Sequence, residues 1–459
     1  MRPLLYIGLI SGTSRDGVDA ALVSFEQPHP IIRAAVCVPY PAALARNLNR
    51  MILAGERPDT TAQNEMDMLL ADHFSETVRQ LLQKAGVSAA DITAIGSHGQ
   101  TIWHQPEGLH PESIQSGDPE RIAVQTGIVT VGDFRRADIE AGGQGAPLAP
   151  LLHRALFRPT GPAARVVLNL GGIANISIID NTGAVSGFDT GPANCLLDTW
   201  IRKHRNEPFD CDGQWAAGGQ VIHSLLEKML ADPYFQQAAP KSTGIEYFNL
   251  GWLESFRPKQ YSETADVQAT LAELTAVSVA DSIRPHTPGD VLVCGGGVHN
   301  TFLTGRLQQH LQDIPVRSTA EFGLDPDWIE AMLFAWLARV RLAGQTLDTR
   351  SITGAAQPVL LGVISSPHYQ NAILGLKYRH EPSSEPHLAY LRRIYCCYRV
   401  SAGRPSALHY HRWHSVWHPV LQAGRAGAGA FRTRDSREGA TERRRRCDHE
   451  RYLDHSAWA

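Results

Sequence analysis

The chain has 459 residues, a formal net charge of −3, 43% hydrophobic residues and 19% charged residues. These values are ordinary for a globular protein of two or three domains, and they exclude a chain-wide attraction to nucleic acid or membranes. No apolar run reaches the ~18–20 residues that span a bilayer, and the N-terminus lacks a secretory pattern. The seven cysteines are scattered along the chain, which favours a reducing compartment, so we expect a cytoplasmic protein.

The first predicted element is a strand over residues 3–10, followed by the turn SGTSRDG and a second strand, VDAALVSF. Glycines permit close approach of the backbone to a ligand, and successive N–H groups can form an anion nest. The aspartates Asp16 and Asp19 would repel a phosphate unless a cation lies between them, which indicates a metal–nucleotide such as Mg–ATP. A glycine-rich hairpin with capping aspartates is the alternative interpretation.

Further along the first half, the segment IGSHGQTIWH is a strand that ends in polar residues. We interpret His98, Gln100 and Thr101 as candidate substrate contacts. A hydrogen bond of His98 within the core is the alternative.

The segment GDFRRADI places Asp133, Arg135 and Arg136 close together in sequence. Arginine pairs well with carboxylate and phosphate groups, so we expect these residues to contact an anionic part of a substrate. An internal ion pair between Asp133 and Arg136 is the alternative.

The second half repeats the pattern of the first about 160 residues later. A strand over residues 164–170, the turn GGIAN and a strand over residues 176–180 form a second strand–turn–strand unit. Strands that alternate with amphipathic helices, such as those predicted over residues 66–86 and 269–285, indicate α/β layers. The repetition therefore predicts an internal duplication with a cleft between its halves, with Asn169, Gly171 and Gly172 at a second phosphate-binding turn.

Three further segments add candidate site residues. In VCGGGVHN, Gly295, Gly296 and Gly297 lie between a strand and a helix, where they permit close approach of a flat ligand or pyrophosphate. The alternative is relief of a tight packing contact.

In GFDTGPAN, Asp189 follows a predicted strand and is a candidate general base, or else a cap for the next helix. Glu330 lies in the first turn of a helix predicted to begin at Pro326, where it either faces the cleft or complements the helix dipole.

The composition changes near residue 367. Residues 367–459 contain fifteen arginines and nine of the twenty histidines, without amphipathic periodicity. This pattern indicates a disordered extension or a segment translated out of frame, and a basic nucleic-acid-binding tail is the alternative. We expect no nucleic-acid or membrane partner for the body.

Taken together, the ordered motifs GLISGTSRDGVDAALV, SHGQTIWH, DFRRADIEAGGQGAPLAP, LNLGGIANIS, GFDTGPAN, VCGGGVHN and GLDPDWIEAMLFAWLA resemble the anhydro-N-acetylmuramic acid kinase family. The resemblance implies the actin/hexokinase-like ATPase fold, with two RNase-H-like domains around a nucleotide cleft. We expect these domains at residues 1–140 and 141–366. An actin-fold ATPase with a structural or chaperone-like role remains the alternative function.

The family resemblance also implies an activity. It implies ATP-dependent opening of the 1,6-anhydro ring with phosphorylation of O6, giving N-acetylmuramic acid 6-phosphate and ADP in peptidoglycan recycling, commonly by a homodimer. Asp189 matches the family's catalytic base, and Glu330 matches its sugar-ring contact. The matching phosphate loop comprises Gly12, Thr13, Ser14, Arg15, Asp16, Gly17, Val18 and Asp19.

Two residues depart from the family pattern. Arg15 lies where members usually have an apolar residue, and Ser116 changes a usual QIGD to QSGD. Neither departure removes a group expected to take part in catalysis, but Arg15 either alters the loop or adds a phosphate contact.

Overall fold

The computed structural model describes residues 4–12, 15–26, 29–239, 241–260 and 263–367. The predicted tail lies outside these residues apart from its first one, and so do Thr13 and Ser14 of the phosphate loop. The strands are β1 Leu5–Ile10, β2 Gly17–Ser24, β3 Ile31–Pro39, β4 Ile92–Ser97, β5 Gln100–Gln105, β6 Glu112–Ser116, β7 Thr130–Gly132, β8 Arg165–Leu170, β9 Ile173–Ile179, β10 Val185–Pro192, β11 Asp290–Cys294, β12 Val316–Ser318 and β13 Val363–Ser365.

Helices separate these strands, as the alternating sequence pattern predicts. They are α1 Ala42–Leu53, α2 Thr60–Ala85, α3 Pro119–Thr126, α4 Arg136–Glu140, α5 Ala149–Leu156, α6 Asn194–Arg205, α7 Gln214–Ala217, α8 His223–Leu230, α9 Pro233–Gln236, α10 Leu250–Ser255, α11 Thr264–Ile283, α12 Thr301–Leu311 and α13 Ile329–Leu342. None of the helices in the described part of the chain has the length and hydropathy of a membrane span.

The two main sheets share one topology. The first has the order β13-β7-β4-β1-β2-β3, and the second has the order β10-β9-β8-β11-β12. In each, a meander of three antiparallel strands is followed by two strands that run parallel to the first of them. The helices α2 and α11 lie in the crossovers to the first parallel strand, as such connections require. The predicted α/β class with two RNase-H-like units is therefore confirmed.

The core between the sheets is built around α13. Alternate residues of β1 and β8 point to opposite faces, so that Tyr6 and Val167 join α13 in one buried cluster, while the other faces form separate clusters. The helix approaches the first sheet very closely at two glycines. A Cβ at Gly8 would lie 1.7 Å from the Ala331 carbonyl oxygen, and one at Gly96 would lie 1.9 Å from that of Phe334.

The C-terminal part of the body returns to the first sheet, because α13 packs on β1 and β4 and β13 pairs with β7. The sequence did not predict this return. The predicted division at residue 140 stays a prediction.

Several predicted boundaries shift by a few residues. The turn predicted over GGIAN is shorter, because β9 begins at Ile173 and leaves only Gly171 and Gly172 between the strands. The helix predicted from Pro326 starts with a short 3₁₀ turn, Pro326–Trp328, before α13.

Candidate active site

A row of polar side chains crosses the second sheet near one end of its strands. Cys294 is paired with Asn169, Asn169 with Asn175, and Asn175 with Asp189 on four neighbouring strands. Partners in register point to the same face of a sheet, and this face is the one turned toward α13. The row therefore places Asp189 about two strand spacings from Asn169, roughly 10 Å.

Asp189 lies within β10 rather than after it, beside a bulge between Asp189 and Gly191. Its Oδ2 accepts hydrogen bonds from Ser242 Oγ at 2.9 Å and from the Thr243 N–H at 3.0 Å. The residue at the N-cap of α6 is Ala193, with no side-chain cap. The alternative interpretation of Asp189 as a helix cap is thus wrong, since the carboxylate is held by a different segment.

The surroundings of Asp189 make its carboxylate a stronger base than usual. Burial raises the pKa of Asp189 to about 6, and the nearby Glu246 charge adds to this rise. The hydrogen bonds from Ser242 and Thr243 favour the ionised form, so they oppose this rise in pKa. Tyr234 also fixes the strand locally, because its hydroxyl donates to the Asp189 carbonyl at 2.7 Å.

Sequence reasoning missed the segment that orients Asp189. Residues 241–246, KSTGIE, follow the base by more than fifty positions, and supply both of its carboxylate donors. The Lys241 carbonyl also accepts a hydrogen bond from the Asp189 N–H at 3.0 Å. The only signal in the sequence was a short run of small polar residues outside any strand or helix pattern.

Glu330 lies in the first turn of α13 and is linked to the second sheet. Asn169 Nδ2 donates to Glu330 Oε1 at 3.3 Å, and the two residues line a small cavity together with Cys294 and His153. The Glu330 side chain reaches solvent, but the surrounding protein partly desolvates its carboxylate, and this desolvation raises the pKa of Glu330. The hydrogen bond from Asn169 favours the ionised form and lowers the pKa by a smaller amount. Its position thus brings a carboxylate to the same face as Asp189.

Both glycine turns of the second half lie at the ends of adjacent strands. Gly295 has φ +81°, and a Cβ there would lie 2.3 Å from Asn169 Oδ1, so this turn requires glycine. Gly296 has open space where a Cβ would be, whereas Gly297 packs against Leu170. The packing alternative therefore accounts for two of the three glycines, and Gly296 remains open to a ligand.

The turn at Gly171 and Gly172 contacts the start of α6. The Gly172 carbonyl accepts hydrogen bonds from the N–H groups of Ala193 and Cys195, and the Gly171 carbonyl accepts one from Asn194. This turn is therefore fixed against the helix that follows Asp189.

The loop after β1 is partly described. Asp19 lies on β2 opposite Ile10 and shares the inner face of the first sheet, and Asp16 is exposed in the loop. The Asp16 carbonyl accepts the Tyr40 N–H at 2.8 Å, which anchors the loop to the end of β3. Val18 is fully buried on the opposite face, so only its backbone remains available to a ligand.

His98, Gln100 and Thr101 lie on or beside the small β5–β6 sheet. Gln100 Oε1 accepts a hydrogen bond from Ser11 Oγ at 2.6 Å, joining β5 to the phosphate loop. Thr101 is half-buried, and its hydroxyl accepts from Gln115 at 3.3 Å. Ser116, the second departure from the family pattern, is fully buried at the end of β6, opposite Gln100.

His98 orients an arginine. Its Nδ1–H donates to the Gly99 carbonyl at 2.9 Å, so Nε2 accepts from Arg135 Nη2 at 2.9 Å. Burial and the Arg135 charge hold the pKa of His98 well below its usual value, which keeps the ring neutral. The alternative of a core hydrogen bond is thus correct for His98, with Arg135 as one of its partners.

Arg135 and Arg136 differ sharply in their surroundings. Arg136 is largely exposed and forms an ion pair with Asp133 at 2.6 Å, as the alternative interpretation predicted. Burial lowers the pKa of Arg135 to about 10, so it remains a cation at neutral pH. Its Nε is buried and has no hydrogen-bond partner in the described part of the protein. Arg135 is therefore the cation of this pair that is available to an anionic ligand.

The donor set fits a magnesium ion bound with a nucleotide. The described residues include no cluster of three or more side chains able to hold a metal ion. Mg²⁺ usually takes only one or two carboxylates and completes its shell with water and phosphate oxygens. Asp16 and Asp19, at the phosphate loop, would supply such carboxylates.

Comparison with known proteins identifies a family and several relatives. The family model described as anhydro-N-acetylmuramic acid kinase matches residues 4–367. A relative from Xanthomonas oryzae pv. oryzae with that name is 49% identical over 366 residues, covering 79% of this chain and 97% of the relative. One from Coxiella burnetii, of the same name, is 47% identical over 363 residues, covering 78% and 96%.

Solved structures with detectable similarity are more distant. The activator of the 2-hydroxyisocaproyl-CoA dehydratase from Clostridium difficile has a TM-score of 0.41 at 13% identity, covering 75% of this chain and 99% of its own. A ROK family glucokinase from Streptomyces griseus has a TM-score of 0.35 at 15% identity, covering 73% and 99%.

The paired sheets and the site between them define a protein of the actin/hexokinase-like ATPase fold, as predicted. The enzyme class, an ATP-dependent phosphotransferase acting on a small molecule, is likewise confirmed. The chain belongs to the anhydro-N-acetylmuramic acid kinase family. A structural or chaperone-like ATPase role is not favoured.

Proposed function

We propose that this chain opens the 1,6-anhydro ring of anhydro-N-acetylmuramic acid and transfers the γ-phosphoryl group of ATP to O6. The products are N-acetylmuramic acid 6-phosphate and ADP, and the reaction serves peptidoglycan recycling in a bacterial cytoplasm. The observation that carries this proposal is the Asp189 carboxylate, held from one side by Ser242 and Thr243 on the inner face of the second sheet. A base in this position can take a proton either from an acceptor hydroxyl or from water, and membership of the anhydro-N-acetylmuramic acid kinase family favours water.

Asp189 acts as the general base. A pKa of about 6 leaves the carboxylate mainly ionised at neutral pH while keeping it basic enough to take a proton from water. The water oxygen attacks the anomeric carbon, and the bond between that carbon and O6 breaks. The released electron pair on O6 forms the new bond to the γ-phosphorus, and ADP leaves.

Glu330 and Asn169 bind the sugar ring at the inner face of the second sheet, which also carries Asp189. The hydrogen bond between them leaves the second carboxylate oxygen of Glu330 able to accept from a sugar hydroxyl. Arg135 is our candidate for the lactyl carboxylate of the substrate, because its Nε–H is unpaired and its position is fixed through His98. Gln100 and Thr101 remain our further candidates for contact with the sugar.

The glycine turns bind the nucleotide. Backbone N–H groups of the first loop and of the turns at Gly171 and Gly296 would donate hydrogen bonds to the phosphates. Because the fold already fixes these groups, they need little reorganisation during phosphoryl transfer. Asp16 and Asp19 would hold Mg²⁺, which offsets phosphate charge when bound.

We further propose that the two predicted domains, residues 1–140 and 141–366, close around the substrates and exclude competing water. We also propose that the protein is a homodimer.

The experiment that tests this function supplies purified protein with ATP, Mg²⁺ and anhydro-N-acetylmuramic acid. The expected product is a reducing sugar that carries one phosphate on O6, formed in equal amount to ADP. ADP formation that does not depend on the sugar, with the anhydro ring intact, would overturn the proposal.

A further inference from the structure

Arg15 is held in an uncommon backbone conformation within the phosphate loop. Its φ is +56°, in the left-handed region, where a residue other than glycine costs about 1 kcal/mol or more. The Arg15 N–H donates to the Gly12 carbonyl at 3.3 Å, and the next residue, Asp16, is tied to Tyr40. The chain therefore fixes this arginine at a strained position from both sides.

The guanidinium group of Arg15 has unused donors. The residue is half-buried, and its Nε and Nη1 atoms are buried with no hydrogen-bond partner among the residues that the structure describes. Leaving a buried donor unpaired costs about 1–3 kcal/mol, and more when the group is charged. An anion that accepted from either atom would recover part of that cost. Nε and Nη1 lie on different edges of the guanidinium group, so each donates separately, and a hydrogen bond from either to a phosphate oxygen is charge-assisted.

Glu246 relates this arginine to the catalytic base. The Glu246 charge acts on both Arg15 and Asp189, and it raises the pKa of each. No ion pair within 4.0 Å joins Arg15 to a carboxylate in the described part of the chain. The Glu246 carboxylate thus lies near both groups, which puts Arg15 on the same side of the site as Asp189. Burial lowers the pKa of Arg15, but an arginine with this shift is still protonated at neutral pH.

We propose that Arg15 is a catalytic residue of this chain, donating a charge-assisted hydrogen bond from an unpaired guanidinium N–H to an oxygen of the γ-phosphoryl group while that group passes from ADP to O6. The inference rests on the proposed function and deepens it. Water gives its proton to Asp189 and bonds to the anomeric carbon, O6 leaves that carbon and bonds to the γ-phosphorus, and the bond from that phosphorus to ADP breaks. Arg15 takes part in none of these bonds and stabilises the charge on the phosphoryl oxygens.

The test compares Arg15→Met with wild type in steady-state kinetics with both substrates saturating. Losing a charge-assisted hydrogen bond made mainly in the transition state should lower kcat about 10- to 100-fold. The KM values for ATP and sugar should change less than about threefold, as expected for a transition-state interaction. Arg33→Met, at an exposed position of β3, is the matched control and should keep the wild-type kcat.

A second variant separates catalysis from a role in loop structure. Arg15→Ala should regain part of its kcat when guanidinium is added below denaturing concentrations, whereas Arg33→Ala should not respond. Wild-type kcat in Arg15→Met, a loss confined to the KM for ATP, or a loss that guanidinium does not restore would each overturn the proposal. If wild type itself forms no phosphorylated sugar, the proposed function fails, which is a separate result.

Discussion

The Asn169 amide donates a hydrogen bond to the Glu330 carboxylate at 3.3 Å, joining the end of β8 to the first turn of α13. The first residue belongs to the second sheet, and the second begins a helix that packs on the first sheet. One side-chain contact thus links the two repeated units at the face that carries Asp189. In the proposed mechanism, this carboxylate contacts the substrate from one direction while Asp189 acts as base from another.

Glu330→Gln should weaken binding of the sugar. The amide keeps the size of the side chain but replaces a charged acceptor, so we expect the KM for the anhydro sugar to rise about tenfold, equivalent to ~1.4 kcal/mol. The dissociation constant for ATP, measured by calorimetry, should stay within about twofold. Glu227→Gln, on an exposed turn of α8, is the control and should behave as wild type.

Asp189→Asn should abolish most of the turnover. The amide occupies the same volume but cannot accept the proton of the attacking water, and general base catalysis contributes about 10²- to 10⁴-fold. Rapid-quench measurement of the phosphorylated sugar should show a loss in that range, with ATP binding retained. Asp313→Asn, at an exposed position after α12, controls for the loss of one charge. Near-normal turnover in Asp189→Asn would assign the base to another residue.

The pH dependence of kcat/KM for the sugar should have an acidic limb near pH 6. Asp189 must be ionised to accept a proton, and burial has raised its pKa from the usual range near 4 to about 6. The rate should therefore be constant above this pH and fall tenfold per unit below it. A limb near pH 4 would show that Asp189 is not the group that titrates.

Ser242→Ala should move this limb to higher pH. The Ser242 hydroxyl donates to Asp189 Oδ2 and favours the ionised form, so its removal should raise the pKa by about half a unit to one unit. Ser255→Ala, which removes a hydroxyl bonded to the Trp252 carbonyl, should leave the limb unchanged. A shift toward lower pH would contradict the assigned hydrogen bond.

Arg135 and Arg136 provide a matched pair for recognition of the lactyl carboxylate. Arg135→Met should raise the KM for the sugar more than tenfold, since a charged hydrogen bond is worth about 1.5–3 kcal/mol. Arg136→Met should change it less than about twofold, because that side chain is paired with Asp133 near the surface. An anhydro sugar that lacks the lactyl group should bind wild type and Arg135→Met equally. A full penalty with that analogue would exclude the assignment.

Gly8→Ala should destabilise the fold. The new Cβ would lie 1.7 Å from the Ala331 carbonyl oxygen, so α13 must move away from β1. Overpacking of a core costs about 1–3 kcal/mol, occasionally more, and we expect the upper part of this range in urea unfolding. Gly161→Ala, where no atom lies within 4 Å of the new Cβ, should change stability by less than about 0.5 kcal/mol.

Much of this fold follows from local sequence. The hairpins around SGTSRDG and GGIAN, the amphipathic helices and the repeat of the pattern predicted two similar α/β units, because strand alternation and helix periodicity are local properties. The return of α13 to Gly8 and Gly96 was not predictable in this way. It depends on backbone contacts between segments more than two hundred residues apart, and a single glycine in a strand has several explanations.

The sequence predicted individual residues of the candidate site, but not the contacts that hold them. Asp189, Glu330 and the glycine turns stood out through their residue type, their places at strand and helix ends, and the family resemblance. The support from Ser242 and Thr243 did not stand out, since their contacts with the base are set by the tertiary fold. The same holds for the difference between Arg135 and Arg136, which are adjacent in sequence and differ only in burial and partners.

The most direct test of the account is to run the reaction in water enriched in ¹⁸O and analyse the products at once by mass spectrometry. If Asp189 directs water to the anomeric carbon while O6 takes the phosphoryl group, the label should enter the sugar and the phosphate should contain none. Label in phosphate, with the anhydro ring intact, would mean that water attacks ATP instead and would contradict the account.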